Sequence, residues 1–278
     1  MKTLADDIKS KNNSPETYYD VNSLLKGDKK IVAFMGGSKS GTSFIVNNVA
    51  ELLATKGVNV AILDTSQNKD SYYIYTRNDE SLREVAISCI KQLTNEEAKG
   101  ITVNKNLTVY TTVPGTNNDI QEVEPILETL LKNHSLILID CDFKTPINYF
   151  KYATELYLVQ TMDVLTIQPL TEVLANLKNN GILVESKLRI ILNKYLKIDE
   201  ITEKKIIGGM SFYNDPSMAY MKELFNRNNV PYMTVPFNQQ VYEKYLLSVV
   251  KCNIALEDYP YEFIELLEQL GREIYSLS

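Results

Sequence analysis

A doubly wound α/β domain, with a mostly parallel sheet covered by helices on both faces, is the fold the sequence predicts. Three observations predict it: short, near-continuous apolar runs such as Lys30 to Met35 and Leu136 to Ile139, helical periodicities between such runs, and a glycine-rich turn joining the first run to the first helix. With 278 residues and 44% hydrophobic content, the chain is long enough to bury one sizeable core. Residues 1–29 read as a polar lead-in and residues 30–278 as a single domain.

Lys30 to Met35 ends at Gly36-Gly37, as a buried strand does. Ser43 to Lys56 then carries Val46, Val49 and Leu53 on one stripe, flanked by Ile45 and Leu52, and Gly57 closes that helix. Val58 to Leu63 is a second strand ending in Asp64, so the opening residues form a βαβ unit. The alternation continues with a helix over Glu80 to Leu93, a strand at Leu107 to Tyr110, a helix over Ile120 to Lys132, and a strand at Leu136 to Ile139 ending in Asp140. Later strands fall at Leu156 to Gln160, Leu188 to Leu192 and Pro231 to Val235, with helices over Thr171 to Asn179, Pro216 to Asn226 and Gln239 to Val249. Asp215 caps the helix that Pro216 opens. Phe263, Leu266, Leu267, Leu270 and Ile274 stripe the segment Glu262 to Tyr275, so a last helix docks on the core. In such a sheet ligands sit at the carboxyl ends of the strands, which puts the site after Met35, Leu63, Ile139 and Leu192.

Composition removes several function classes. A net charge of −6 gives no broad basic face for nucleic acid or anionic lipid. No apolar run is long enough to span a membrane, and Met1 to Asn13 lacks the apolar core of a signal peptide, so the expected location is cytoplasmic. Cys89, Cys141 and Cys252 are far apart and read as small buried residues. The single histidine, His134, falls at a helix C-terminus, where a partial positive charge is favoured. One histidine leaves no room for a multi-histidine metal site.

Gly36-Gly37-Ser38-Lys39-Ser40-Gly41-Thr42-Ser43 follows a strand and opens a helix, the context that a phosphate-binding loop requires. Its glycines let backbone N–H groups turn inward, and the helix N-terminus adds partial positive charge. Ser43 stands where a magnesium-binding hydroxyl belongs. The lysine that usually follows the second glycine is Thr42 here. Losing one charge-assisted hydrogen bond costs roughly 1.5–3 kcal/mol, about ten- to a hundredfold in affinity. Lys39 either swings a cation back toward the phosphates or stays a solvated loop lysine, and the loop itself is either a nucleotide site or a turn without a ligand.

From Lys30 to Val250 the sequence resembles the ParA/MinD family of deviant Walker P-loop ATPases. The resemblance rests on Ile31 to Ser43, on Val58 to Asp64, on the Walker B-like strand Leu136 to Asp140, on Leu188 to Lys194, and on Val230 to Phe237 with its proline turn. It implies binding of ATP or ADP with Mg2+: the loop 36–43 on the phosphates, Asn193 on adenine, and Ser43, Asp64 and Asp140 around the metal, directly or through water. Asp142 and Lys144 follow in what resembles a switch loop. It also implies a homodimer and a protein partner that the sequence does not identify.

Two departures bear on chemistry. The family's signature lysine after the first loop glycine, which reaches across a nucleotide-sandwich dimer, is Gly37 here. The second strand usually ends Asp-x-Asp, and Thr65-Ser66 follow Asp64 instead. A degenerate member with weak or absent hydrolysis is implied, similar to the pilus-positioning TadZ and CpaE proteins. The sequence thus offers a nucleotide-dependent protein that positions a pilus, secretion, conjugation or partition assembly, or a pseudo-ATPase scaffold that binds no nucleotide. A third reading, the related bacterial tyrosine kinase, would use tail tyrosines, but Tyr259, Tyr261 and Tyr275 follow a helical pattern expected to be partly buried. Glu262, Glu265, Glu268 and Glu273 make the last helix acidic, unlike a membrane-binding amphipathic helix, so direct DNA or membrane contact is not expected. Tyr72, Tyr73 and Tyr75 either form an interaction surface or pack under the next helix.

Overall fold

Strand β1 (Lys30–Gly36) runs through the middle of an eight-stranded sheet in the computed structural model, which describes residues 20–77, 79–115, 123–212 and 223–276. The other strands are β2 (Val60–Asp64), β3 (Ile101–Asn104), β4 (Leu107–Tyr110), β5 (Leu136–Cys141), β6 (Glu155–Gln160), β7 (Leu188–Tyr195) and β8 (Tyr232–Pro236). Their order across the sheet is β3-β4-β2-β5-β1-β6-β7-β8. Every neighbouring pair is parallel except β3 and β4.

Alternation along β1 explains why both faces are covered. Ile31, Ala33 and Met35 enter one apolar cluster, and Val32 and Phe34 enter the other, because successive side chains leave a strand on opposite sides. The first face carries α1 (Val21–Leu24), α4 (Glu80–Thr94), α5 (Val123–Asn133), α6 (Asn148–Tyr152), α7 (Ile167–Asn179) and α8 (Glu203–Ser211). The second carries α2 (Thr42–Thr55), α3 (Asp70–Tyr75), α9 (Gln239–Val250) and α10 (Tyr261–Ile274). On α10 the stripe Phe263, Leu267, Leu270 and Ile274 is buried, and Gly271 packs beside Leu52 and Leu53 of α2.

Helix ends follow local chemistry. Gly57 takes φ +90, and its N–H donates to Ala54 O while Val58 N–H donates to Leu53 O, the paired closure that a left-handed residue after a helix permits. Asp79 accepts from Ser81 N and Leu82 N at the start of α4, and Asn238 accepts from Val241 N at the start of α9.

Several elements differ from the sequence reading. β3 is antiparallel, and with α1, α3, α6 and α8 it was not expected. α1 lies inside the segment read as a polar lead-in, and its Val21 is buried in the core. α7 begins at Ile167, ahead of Thr171. Most of the helix expected over Pro216 to Asn226, with its Asp215 cap, lies outside the described residues, and 223–226 are not helical. The first residues of the helix expected from Ile120 also lie outside them.

His134 sits where expected, between α5 and β5, but it carries no charge. Asn59 donates its amide to Asn133 O, so its oxygen accepts from His134 Nδ1 at 2.8 Å, and Nε2 lies 2.9 Å from the Tyr110 hydroxyl, which also reaches Ala98 O at 3.4 Å. Burial, with Lys29 nearby, lowers the His134 pKa to about 4. Cys89 and Cys141 are buried and Cys252 is half-buried, all as free thiols. Tyr259 is buried and Tyr275 half-buried, whereas Tyr261 is exposed. Tyr75 is buried and donates to Asn47 Oδ1 at 3.0 Å, while Tyr73 stays exposed.

Candidate functional site

β1 stops at Gly36 and α2 starts at Thr42, so the glycine-rich stretch is a tight loop at the carboxyl edge of the sheet. Gly41 takes φ +87, and a Cβ there would lie 2.3 Å from Asn193 Nδ2. Only glycine meets both demands. Asn193, at the end of β7, is buried and donates Nδ2 to Ser40 O at 2.8 Å. Lys194 follows and donates Nζ to Lys39 O at 2.9 Å, so two consecutive residues of β7 hold two consecutive carbonyls of the loop. Ser40 Oγ and Thr42 Oγ1 lie 3.0 Å apart against Gly36, where a Cβ would meet them at 2.3 and 2.4 Å. A hydroxyl pair therefore occupies the place from which a loop lysine would start.

Behind the loop, Asp64 and Asp140 are register partners on β2 and β5. Asp64 Oδ1 accepts from Ser66 N at 3.1 Å and Ser66 Oγ at 2.7 Å, and Oδ2 from Ser71 N at 3.2 Å and Thr111 Oγ1 at 3.3 Å. Asp140 is equally buried, yet neither of its oxygens has a hydrogen-bond partner. Burial, then the charge of Asp64, pushes the Asp140 carboxyl well above the usual range, and Ser43 is the side chain that faces it and opposes the shift. Asp142 is engaged, with Oδ2 accepting from Gln67 N at 2.6 Å and Oδ1 from Lys144 N at 2.8 Å.

The loop, Asp140 and Asp142 border a cleft of about 790 Å³. One wall is polar, from the loop and the acids; the other is apolar, with Phe44, Val241, Tyr242, Tyr245 and Phe263 among its residues. Phe44 packs edge-on to Tyr245 and stacked on Phe263, at centroid distances of 4.8 and 5.6 Å. Lys39, Lys144 and Lys194 also border the cleft, and none of them pairs with a carboxylate of the described residues.

No protein-family model matches the chain, and no curated protein matches it in sequence. Solved structures do match it in shape. A ParA family ATPase from Chlorobium tepidum TLS superposes with a TM-score of 0.62 at 15% identity, over 88% of this chain and 98% of that one. The septum site-determining protein MinD from Pyrococcus horikoshii OT3, complexed with Mg-ADP, gives 0.60 at 16% identity over 90% and 97%. A variant of McdA from Cyanothece, in complex with ATP, gives 0.61 at 14% identity over 89% and 96%.

The chain has the ParA/MinD fold. Within that fold the sequence-predicted residues converge: the loop 36–43 apart from Ser40, Asp140 and Asn193 border the cleft, and Asp64 lies beside Asp140. Asn193 holds the loop through Ser40 O, and Asp64 has its oxygens turned to loop donors. Among the described residues no three His, Cys, Asp or Glu side chains gather as a metal nest. A ParA/MinD fold with one bare buried carboxylate facing a serine nevertheless fits Mg2+, which takes few protein oxygens and keeps waters and phosphate oxygens as its other ligands. The aromatic wall and the Lys194 contact were missed. The tie at Lys194 leaves only a weak trace in sequence, a lysine beside the strand-end asparagine.

Proposed function

We propose that this chain binds ATP or ADP with Mg2+ in the cleft over Asp140, and acts as a homodimeric positioning or partition-type protein that recruits a protein partner. Asp140 carries this reading. A buried carboxylate that closes no hydrogen bond and has only the Ser43 hydroxyl turned toward it is costly unless a ligand completes it, and a hard cation brought by a nucleotide does so. Ser43 and Asp140 would hold the Mg2+, with Asp64 acting through water at most because its oxygens are already engaged. When bound, the ion neutralises phosphate charge.

The chain's own residues set the rest. Backbone N–H groups of the loop and the first turn of α2 face the phosphates, favoured by the positive end of the helix. Asn193 and Lys194 fix the shape of the loop by holding Ser40 O and Lys39 O. Thr65 and Ser66 bring no second carboxylate, and Ser66 spends its donors on Asp64, so hydrolysis is slow or absent. The irregular loop supports the TadZ/CpaE type of partner, a pilus or secretion assembly.

One observation favours the second reading, a scaffold that needs no nucleotide: Thr42, at the position of the missing loop lysine, has its Oγ1 tied to Ser40 Oγ. Calorimetric titration of the purified chain with ATP and magnesium separates the two. Saturable binding in the micromolar range supports the nucleotide reading. No heat up to millimolar nucleotide rejects it and leaves the scaffold.

A further inference from the structure

The phosphate loop lacks its lysine, and three lysines border the cleft; their surroundings differ. Lys39 is exposed, with φ +64, and its ammonium has no partner that fixes its direction among the described residues. Lys144 is exposed on the loop after β5. Lys194 is half-buried and fixed, with Nζ 2.9 Å from Lys39 O.

The backbone has been bent to put it there. Between β7 and β8 the register runs Asn193 with Val235 and then Tyr195 with Pro236, so Lys194 is the extra residue of a bulge, and it takes φ +52. Bulges redirect a side chain that regular pairing would send across the sheet face, and a left-handed lysine persists only where its surroundings hold it. Both devices serve one result: an ammonium brought over the loop from a strand two places away in the sheet.

That ammonium is not satisfied by its surroundings. One of its three donors goes to Lys39 O, and no carboxylate of the described residues pairs with it. Burial first, and the neighbouring Lys39 second, lower its pKa, so an anion in the cleft would relieve it on both counts.

We propose that Lys194 supplies the cation of the nucleotide site in place of the missing loop lysine, directing its free donors at the sugar–phosphate part of the nucleotide. The inference rests on the nucleotide-binding reading and deepens it. Lys194 both positions the loop and contacts the ligand, and Lys39 contributes its carbonyl rather than its charge.

Calorimetry with Mg-ATP at two salt concentrations, on the unaltered chain and on Lys194→Met and Lys194→Arg, tests it. Lys194→Met is expected to weaken binding about ten- to a hundredfold and to flatten its salt dependence, since a charge contact is what salt screens. Lys194→Arg keeps both the affinity and the salt dependence. If Lys194→Met binds as tightly as the unaltered chain, or more weakly with the same salt dependence, Lys194 only ties down the loop and the inference is overturned while the nucleotide reading stands. If the unaltered chain takes up no nucleotide, that reading falls and the inference falls with it. Should Lys194→Met fail to give a cooperative thermal transition, Lys194→Gln, which retains a donor for Lys39 O without the charge, replaces it under the same criteria.

Discussion

Asp64 and Asp140 lie side by side on β2 and β5, but Asp64 accepts four hydrogen bonds and Asp140 accepts none. The contrast divides their roles. Asp64 organises the loop that follows β2, through Ser66 and Ser71, and Asp140 is left available to a ligand.

Replacing Asp140 with Asn is expected to stabilise the ligand-free protein at neutral pH, because it removes the charge that burial and Asp64 disfavour. The sign follows from its raised pKa. The folded state favours the neutral acid, so stability is full below the ordinary aspartate value of about 3.9 and is lost as pH rises through the raised value. The advantage of Asp140→Asn should therefore shrink on acidification, and the same variant should no longer bind Mg-ATP. Urea unfolding at several pH values measures the first effect and calorimetry the second; a variant less stable than the parent at pH 7 would contradict this account.

Gly41→Ala should cost at least about 1–2 kcal/mol from the left-handed backbone alone. Its new Cβ would also displace Asn193 from Ser40 O, since Nδ2 stands 2.3 Å from that position. Thermal melting checks the stability, and the loss should exceed that of Ala at Gly57, whose Cβ would meet nothing within 4 Å.

Restoring the loop lysine with Thr42→Lys is expected to tighten Mg-ATP binding about ten- to a hundredfold, the converse of the charge-assisted bond that is missing. It must also break the contact between Thr42 Oγ1 and Ser40 Oγ. Unchanged affinity would mean that the loop no longer presents residue 42 to the phosphates.

His134 is buried as the neutral ring with its pKa lowered to about 4. The unfolded chain takes up a proton near pH 6.5 and the folded chain does not, so this group's stability is lost as pH falls from about 6.5 toward 4, by at most about 1.4 kcal/mol per unit. His134→Asn removes that term. The stability gap between parent and variant should narrow across this range, and a constant gap would show that the ring titrates normally in the fold.

What sequence could deliver was set by how local each signal is. β4 was expected at Leu107 to Tyr110 and lies there, because its apolar residues and the Asn106 turn are adjacent in the chain. β3 escaped because Ile101-Thr102-Val103-Asn104 is a half-exposed edge strand with two apolar residues, and its antiparallel direction depends on which strand it meets. The position of His134 could be read, but its neutrality comes from burial and from Lys29, which is distant in sequence. At the site, the loop and both acids announced themselves by following apolar runs. That Asp64 would be caged and Asp140 bare depends on Ser71 and Thr111, which no spacing rule connects to them. Lys194 gains its meaning from a bulge, which is a relation between two strands.

The placement of β1 has a consequence for how the protein is made. Its two sheet neighbours, β5 and β6, begin about 100 residues later in the chain, and until they leave the ribosome the apolar stretch Ile31 to Met35 has no permanent partner. At 5–20 residues per second the nascent chain carries that segment unpaired for roughly 5–20 s. An apolar run that is wholly buried in the finished fold is thus unpaired during synthesis, a reason for the protein to depend on a chaperone such as those that shield emerging apolar segments.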